Sequence, residues 1–372
     1  MRNLTLPAFV IAPVVVLAAI DSAPAAAMAP LGAATAAALA ITPAAALAAP
    51  AVAPVGAVAG TAIAAQAPNA NVETELSHLD PRTWEEWLLP IDSMGASPQP
   101  QAAACRIWVR EVGDGPPVVF LHGGWGAEMS DLFYGLLDLA ADARLVFYDQ
   151  RGSLRSHCDE LPTVDDHVAD LEALRVALGL ERLVLVGHSM GTRLAMLYAD
   201  AHPDRVAGIA MVAPVWPTPD EPAVERGAPP WEDPQVIEEL ERHGLVLDRR
   251  REDGPVGWAI NHRIIFAAVN LADPTRWRAS RPPWAYDQEV ANHTAASMPE
   301  EFDFRPALAV IDGPVLLLQG EQDFNAQATW ADGMEGVERV AIEGAGHNAY
   351  TDRPDVVLPA LREFIREAHE AR

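Results

Sequence analysis

Short apolar runs, each bounded by turn residues or by helical segments, recur along the chain from about residue 106 onwards. Runs of this length that are apolar throughout are typical of strands buried on both faces of a parallel sheet. The segments between them carry helix signals, as where Thr163 can cap a helix with Asp166 three residues later. Strands that alternate with helices predict a doubly wound, mostly parallel α/β sheet. The predicted strands are 107–112, 118–121, 145–148, 183–186, 206–212, 315–318 and 337–342.

One internal segment departs from this alternation. Residues 216–304 are rich in proline and tryptophan and lack the strand–helix period. We expect them to form a helical cap over the carboxyl ends of the strands, where open α/β sheets bind ligands. Residues 71–215 and 305–372 then form the core, with a short helical lead-in at Trp84 and Trp87.

The first part of the chain, residues 1–70, is dominated by alanine, proline and valine and shows neither a helical nor a strand period. Arg2 precedes an apolar run at 6–20 and small residues at 25–27, which is the layout of a secretory signal peptide. The run is shorter than the roughly 20 residues that span a bilayer, so no stable membrane span is expected. Export followed by a flexible linker, and a low-complexity extension of a cytoplasmic protein, both remain open.

Charge and cysteine content narrow the classes of partner. The chain has 52 acidic and 26 basic residues, a formal net charge of −26 at pH 7. Such a surface repels phosphate backbones and anionic lipids, so we expect no nucleic-acid partner.

The two cysteines, Cys105 and Cys158, lack metal-ligand spacing, so no metal is predicted. We expect them to be unpaired small side chains, although a bridge between them stays open. The oligomeric state has no readable signal.

A candidate nucleophile lies in the sequence Gly-His-Ser-Met-Gly at 187–191, directly after the predicted strand 183–186 and before a helical run. This context is that of the G-x-S-x-G nucleophile elbow, in which a sharp turn exposes the serine. The sequence therefore predicts Ser189 as the nucleophile, with a serine in an ordinary turn as the alternative. His188 is expected to point away from the nucleophile.

A serine hydroxyl needs a base to remove its proton and an acid to orient that base. Of the eleven histidines we choose His347, because it lies in a glycine-rich loop after the predicted strand 337–342 and ahead of the last helix. Asp323 is the predicted acid, since it follows the buried strand 315–318 and lies between serine and histidine in the chain. The competing carboxylates are Glu321 and Asp312.

A glycine-rich loop, His-Gly-Gly-Trp-Gly at 122–126, follows the predicted strand 118–121. We predict that the backbone N–H groups of Gly124 and Met190 form an oxyanion hole, with a structural glycine turn as the alternative. Trp125 and Glu289 are the candidates for substrate binding. No cofactor is required for such chemistry.

Three motifs together resemble the proline iminopeptidase-like branch of the α/β-hydrolases: the loop at 122–126, the segment Asp-Gln-Arg-Gly-Ser-Leu-Arg-Ser at 149–156, and the serine elbow at 187–191. The resemblance runs from about Arg106 to Ala371. It implies the α/β-hydrolase fold, with a doubly wound sheet and an inserted helical cap, and serine peptidase activity on a short peptide or small molecule. The arginine of the second motif is expected to brace loops beside the site.

The chain also departs from that branch. Trp125 stands where proline is usual, Met190 where tryptophan is common and Leu154 where glycine is usual. The family recognises a free amino terminus through cap carboxylates, but no motif selects one here. We therefore expect an aminopeptidase first and a carboxylesterase or lactonase second, with a non-catalytic small-ligand-binding protein as the alternative of another class. The available cap carboxylates are Asp287, Glu289, Glu300 and Glu301.

Overall fold

The computed structural model describes five ranges, all within the unit Glu73–Arg372: 80–91, 105–222, 234–242, 270–279 and 285–371. The extension 1–70 with its signal-like pattern lies outside the described residues, and so does much of the predicted cap at 216–304. The cap therefore stays a prediction, although its described residues include helices at Pro234–Arg242 and Gln288–Ala296 and a 3-10 helix at Pro274–Ala279.

Eight strands form one sheet in the described part of the chain: β1 Glu85–Ile91, β2 Cys105–Val112, β3 Pro117–Leu121, β4 Arg144–Tyr148, β5 Leu183–His188, β6 Val206–Val212, β7 Val315–Gly320 and β8 Val337–Ile342. Their order across the sheet is β1-β2-β4-β3-β5-β6-β7-β8. The pairs β1–β2 and β2–β4 are antiparallel, and every other pair is parallel. Each predicted strand is confirmed, and the doubly wound α/β sheet with it.

The described α-helices are α1 Ser130–Leu136, α2 Val164–Ala177, α3 Met190–Ala201, α4 Pro234–Arg242, α5 Gln288–Ala296, α6 Arg305–Ala309, α7 Ala349–Asp352 and α8 Pro354–Glu370. The start of α2 is the predicted capping box, in which the Thr163 hydroxyl accepts from Asp166 N–H and the Asp166 carboxylate accepts from Thr163 N–H. The buried face of α8, which includes Leu361 and Phe364, belongs to the same hydrophobic core as the inner residues of the central strands. No described helix is long and apolar enough to cross a membrane.

The helical lead-in predicted at Trp84 and Trp87 is wrong. A short 3-10 helix ends at Thr83, and Trp87 lies within strand β1, paired with Val109 of β2. The Trp87 indole N–H donates to Glu111 on β2 over 2.7 Å. Pairing with the neighbouring strand β2 has overridden the local signal, because strand formation depends on tertiary context more than on local propensity.

The expectation of two unpaired cysteines is also wrong, because Cys105 and Cys158 form a disulfide. The segment that contains Cys158 runs antiparallel beside the start of β2, where Arg106 N–H donates to the His157 carbonyl over 2.9 Å. The two residues are 53 positions apart, so only the folded sheet brings them together.

Candidate active site

The residues singled out from the sequence lie at one edge of the sheet. Ser189 follows β5, Asp323 follows β7 and His347 follows β8, while the loop 122–126 follows β3. Because these strands are parallel, their carboxyl ends meet at the same edge, where ligands bind in open α/β sheets. The fold thus gathers side chains that are far apart in sequence.

Ser189 sits in a strained turn between β5 and α3. Its backbone has φ 51° and ψ −120°, a left-handed φ that a non-glycine residue adopts only at a cost of roughly 1–3 kcal/mol. Two bonds hold the turn, since Ser189 N–H donates to the Val212 carbonyl over 3.0 Å and the Thr192 hydroxyl donates to the Ser189 carbonyl over 2.7 Å. Gly191 is needed because a side chain there would collide with the backbone of Leu121 at the end of β3. The half-buried serine is held in the conformation of a nucleophile elbow.

His347 and Asp323 are in direct contact. The Nδ1 atom of His347 lies 2.8 Å from Asp323 Oδ1, and both residues are buried. Asp323 is itself oriented, because Oδ1 accepts from Asn325 N–H over 3.0 Å and Oδ2 accepts from the Gln319 amide over 3.3 Å. A carboxylate at Nδ1 fixes the tautomer in which Nε2 is free to accept a proton. The competing carboxylates Glu321 and Asp312 are both exposed.

His188 connects the elbow to the histidine loop. Its Nε2 lies 3.2 Å from the backbone carbonyl of His347, and the two imidazole centroids are 4.9 Å apart. Burial lowers the pKa of His188 well below its usual value, so the ring is neutral and donates from Nε2. Its other nitrogen, Nδ1, faces Gly123, where a methyl group would lie 2.8 Å away. This arrangement was not predicted from the sequence, which indicated only that His188 points away from the nucleophile.

The loop predicted to hold the oxyanion lies against the serine. A methyl group on Gly123 would come 3.0 Å from the Cβ of Ser189. Gly124 has φ +70°, a left-handed conformation that suits glycine. Met190 is the first residue of α3, so its N–H is one of the first-turn groups that have no intrahelical acceptor.

His122 holds this loop through hydrogen bonds to Gln150. Its Nε2 accepts from Gln150 N–H over 3.0 Å, so Nδ1 carries the hydrogen and lies 3.2 Å from the Gly123 carbonyl. The Gln150 amide donates in turn to the His122 carbonyl over 2.9 Å. Burial lowers the pKa of His122, which keeps the ring neutral and able to accept. The reciprocal pair ties the loop after β3 to the loop after β4.

The segment 149–156 braces the neighbouring loops, as expected for the arginine of this motif, and both of its arginines take part. Arg155 donates from Nε to Asp149 over 2.7 Å and from Nη2 to Glu128 over 2.6 Å, and its guanidinium lies 4.1 Å from the Trp108 ring centroid. Arg151 bonds to Asp170 on α2 through both Nε and Nη2. The two arginines join this loop to β2, α2 and the segment before α1.

The candidates for substrate binding have different surroundings. Trp125 is 1% exposed and stacks on His167 with ring centroids 4.9 Å apart. Glu289 is exposed in the first turn of α5. Asp287 caps α5 by accepting from the N–H groups of Glu289 and Val290, and its own N–H donates to the Gly126 carbonyl over 2.9 Å, which docks α5 on the glycine-rich loop. The remaining carboxylates, Glu300 and Glu301, are exposed.

Gln319 is a supporting residue that the sequence could have revealed. It is a fully buried polar residue within the otherwise apolar strand β7, and such a residue needs a partner. The Gln319 side-chain nitrogen donates to Asp323, while its side-chain oxygen Oε1 accepts from Ala328 N–H over 2.8 Å. Asp131, which accepts from the Asn348 amide over 2.7 Å, had no such signal because it lies 217 positions away.

Among the described residues, no group of three or more His, Cys, Asp or Glu could hold a metal ion.

Proline iminopeptidases are among the known proteins with similar sequences. The chain matches proline iminopeptidase of Neisseria gonorrhoeae with 44% identity over 101 residues, which cover 26% of this chain and 32% of that protein. It matches proline iminopeptidase of Lactobacillus helveticus with 25% identity over 291 residues, 70% of this chain and 94% of that protein. The match to the Neisseria relative thus spans about a third of that protein's length.

Solved structures show the same fold. The proline iminopeptidase-related protein from Thermus thermophilus aligns with a TM-score of 0.54 and 23% identity over 78% of this chain and 99% of that one. A thermophilic esterase from Thermogutta terrifontis aligns with a TM-score of 0.52 and 22% identity over 77% and 99% of the two chains. The model of the family described as the alpha/beta hydrolase fold matches residues 116–354, well over half of the chain. The chain therefore belongs to the α/β-hydrolase fold family, with a likeness to proline iminopeptidases within it.

Proposed function

We propose that this protein is a serine hydrolase that acts through an acyl-enzyme, with Ser189 as nucleophile, His347 as general base and Asp323 as orienting acid. The observation that carries the proposal is the buried 2.8 Å contact between His347 Nδ1 and Asp323 Oδ1, at the sheet edge where the strained Ser189 turn also lies. A buried carboxylate at one imidazole nitrogen leaves the other nitrogen to act on a hydroxyl.

The proposed reaction has two steps. In the first, Ser189 Oγ attacks the carbonyl carbon of the substrate while its proton passes to His347 Nε2, and the imidazolium returns that proton to the leaving group. In the second, His347 activates a water that releases the acyl group. The N–H groups of Gly124 and Met190 stabilise the oxyanion, each by about 3 kcal/mol if it acts like other such donors. This chemistry needs no cofactor.

Among substrates, the proposal puts a short peptide with a free amino terminus first. Its support is the likeness to proline iminopeptidases, together with the docking of α5 on the glycine-rich loop. That docking places α5, with the exposed carboxylate of Glu289 in its first turn, beside the glycine-rich loop. The net charge of −26 also attracts a cationic amino group. Asp287 is less suited to bind an amine, because its carboxylate already caps the helix.

A carboxylesterase or lactonase is the second candidate, and two residues favour it. Trp125 and Met190 replace residues usual in true proline iminopeptidases; Met190 supplies one N–H group of the proposed oxyanion hole, and Trp125 is next to Gly124, which supplies the other. We infer that the bulky indole, buried in the loop next to Ser189, alters the shape of the acyl site, because shape sets specificity among enzymes with the same triad.

Two measurements test the proposal in order. A fluorophosphonate probe should label the wild-type protein and should not label Ser189→Ala; an unlabelled wild type would favour the non-catalytic ligand-binding protein instead. A panel of prolyl and other aminoacyl arylamides, their N-acetylated forms and simple aryl esters then separates the substrate classes. Loss of turnover on N-acetylation supports the aminopeptidase, whereas equal rates with and without a free amine support the esterase.

We also infer that the protein is exported. The Cys105–Cys158 disulfide supports this, because disulfides persist in oxidising compartments outside the cytosol, and the signal-like pattern at residues 2–27 agrees with it. The mass of the mature protein tests the inference: export predicts loss of the first 20–30 residues or so, whereas an intact amino terminus on cell-associated protein contradicts it.

A further inference from the structure

The loop that carries His347 is held by hydrogen bonds to the N–H groups on both sides of the histidine. Gly346 N–H donates to Asp352 Oδ2 over 2.9 Å, and Asn348 N–H donates to the Asn270 carbonyl over 2.8 Å. The Asp352 side chain is fully buried, with 0% of it exposed. The position of the imidazole therefore depends on two groups outside the triad.

The same oxygen of Asp352 also binds the segment 270–272. This segment contains Asn270, whose carbonyl accepts the hydrogen bond from Asn348 N–H. Oδ2 accepts from Ala272 N–H over 2.9 Å, while Arg276 Nη1 lies 3.3 Å from Oδ1. The segment packs closely on the loop, since a methyl group on Gly346 would lie 2.9 Å from its backbone atoms. One buried carboxylate thus joins the histidine loop to part of the region predicted to form the cap.

We propose that Asp352 is a positioning residue for His347, which fixes the histidine loop and the segment 270–272 in one arrangement. The inference rests on the proposed function, because it gives the same general base a support. Its physical reason is that two backbone N–H groups converge on one oxygen, which an apolar side chain of similar volume cannot replace. Displacement of a base by about 1 Å can reduce a rate about 100-fold, so a small shift of the loop is enough.

The test compares Asp352→Leu, which removes the acceptor, with Asp352→Asn, whose carbonyl oxygen can accept both N–H bonds. We expect Asp352→Leu to lower the rate of fluorophosphonate labelling and kcat at least tenfold with KM changed less than threefold, and Asp352→Asn to stay within threefold of wild type. Asp355→Ala serves as the matched control, since Asp355 lies three residues further on and its side chain is 64% exposed. That control should label as wild type does.

A second variant keeps the test decisive if Asp352→Leu does not fold. Gly346→Ala leaves the carboxylate in place but pushes the loop away from the segment 270–272, and it should lower the labelling rate at least fivefold. Wild-type labelling rates in Asp352→Leu or Gly346→Ala would overturn the positioning role while leaving the proposed function intact, and so would an Asp352→Asn variant as slow as Asp352→Leu. A wild-type protein that does not react with the probe would overturn both.

Discussion

The backbone carbonyl oxygen of Leu121 lies so close to Gly191 that a methyl carbon on the glycine would come within 2.0 Å of it. The end of β3 and the first turn of α3 are therefore in direct backbone contact, and the nucleophile elbow and the oxyanion loop share that contact. Only glycine fits at this position, because the neighbouring atoms are backbone and cannot rotate away.

Replacement of Gly191 by alanine should therefore separate the elbow from the oxyanion loop. We expect Gly191→Ala to lower fluorophosphonate labelling at least 100-fold or to prevent folding. Gly179→Ala is the matched control, since Gly179 has φ +67° with no atom within 4 Å of an added methyl, and it should cost about 1 kcal/mol of stability without loss of labelling. Labelling of Gly191→Ala at the wild-type rate would contradict the close contact.

Asp323→Asn should slow acylation by about three to four orders of magnitude if the triad acts like its counterparts in other serine hydrolases. The reason is that the asparagine N–H₂ group, a donor, would face a group that is itself a donor. The carboxylate now accepts from His347 Nδ1, Asn325 N–H and the Gln319 amide, and an asparagine amide group must face one of those donors. The labelling rate of the folded variant measures the effect. Glu321→Gln is the control, because Glu321 is exposed, and a larger loss there than at Asp323 would move the acid to Glu321.

The sequence predicts the sheet well because each central strand is apolar at almost every position, a pattern that depends on local residues alone. It also predicts which residues follow those strands, and parallel strand ends necessarily meet at one edge. It fails at Trp87, where pairing with β2 decides the structure, and at Cys105 and Cys158, whose approach depends on the path of a distant segment. The supports of the histidine loop, such as Asp131, escape prediction for the same reason.

The Cys105–Cys158 disulfide should contribute measurably to stability. It closes a loop across 53 positions, and a cross-link of that kind typically stabilises a protein by about 2–4 kcal/mol through the unfolded chain. Urea unfolding with and without dithiothreitol should show a lower midpoint under reduction. The double variant Cys105→Ala/Cys158→Ala should be equally destabilised and should not respond to the reductant; a wild-type midpoint that ignores reduction would contradict the prediction.

Acidification should destabilise the protein through His167, which stacks on Trp125. Burial, and after it the charge of Arg151, lowers the pKa of His167 to about 3, against an unfolded value near 6.5, while Asp166 acts in the opposite direction. Between these values the unfolded chain binds a proton that the folded protein does not. Stability is therefore complete above about pH 6.5 and falls below it by up to about 1.4 kcal/mol per pH unit.

The measurement is the urea midpoint at pH 7.5 and pH 5.0 for wild type and for His167→Phe. Phenylalanine keeps a ring against Trp125 but cannot be protonated, so the variant should lose less stability between the two pH values than wild type does. Equal losses in the two proteins would assign the acid sensitivity to other groups.

Arg193 and Arg155 should respond in opposite ways to replacement by methionine. Arg193 is 9% exposed, its Nη1 has no hydrogen-bond partner within the described part of the chain, and its guanidinium lies 4.5 Å from the Phe302 ring centroid. Burial lowers the pKa of Arg193 to about 10, and the charge of Glu221 acts in the opposite direction. Arg155, in contrast, bonds to two buried carboxylates, Asp149 and Glu128.

Removal of a poorly compensated charge costs little, whereas removal of one partner from a buried ion network leaves the others unpaired. We therefore expect Arg193→Met to leave the free energy of unfolding unchanged or to raise it, by about 1–3 kcal/mol at most, and Arg155→Met to lower it by about 3–5 kcal/mol. Urea unfolding of both variants decides this. A loss above 1 kcal/mol or so in Arg193→Met would show that the guanidinium has a stabilising partner, for which the nearby charge of Glu221 is the first candidate.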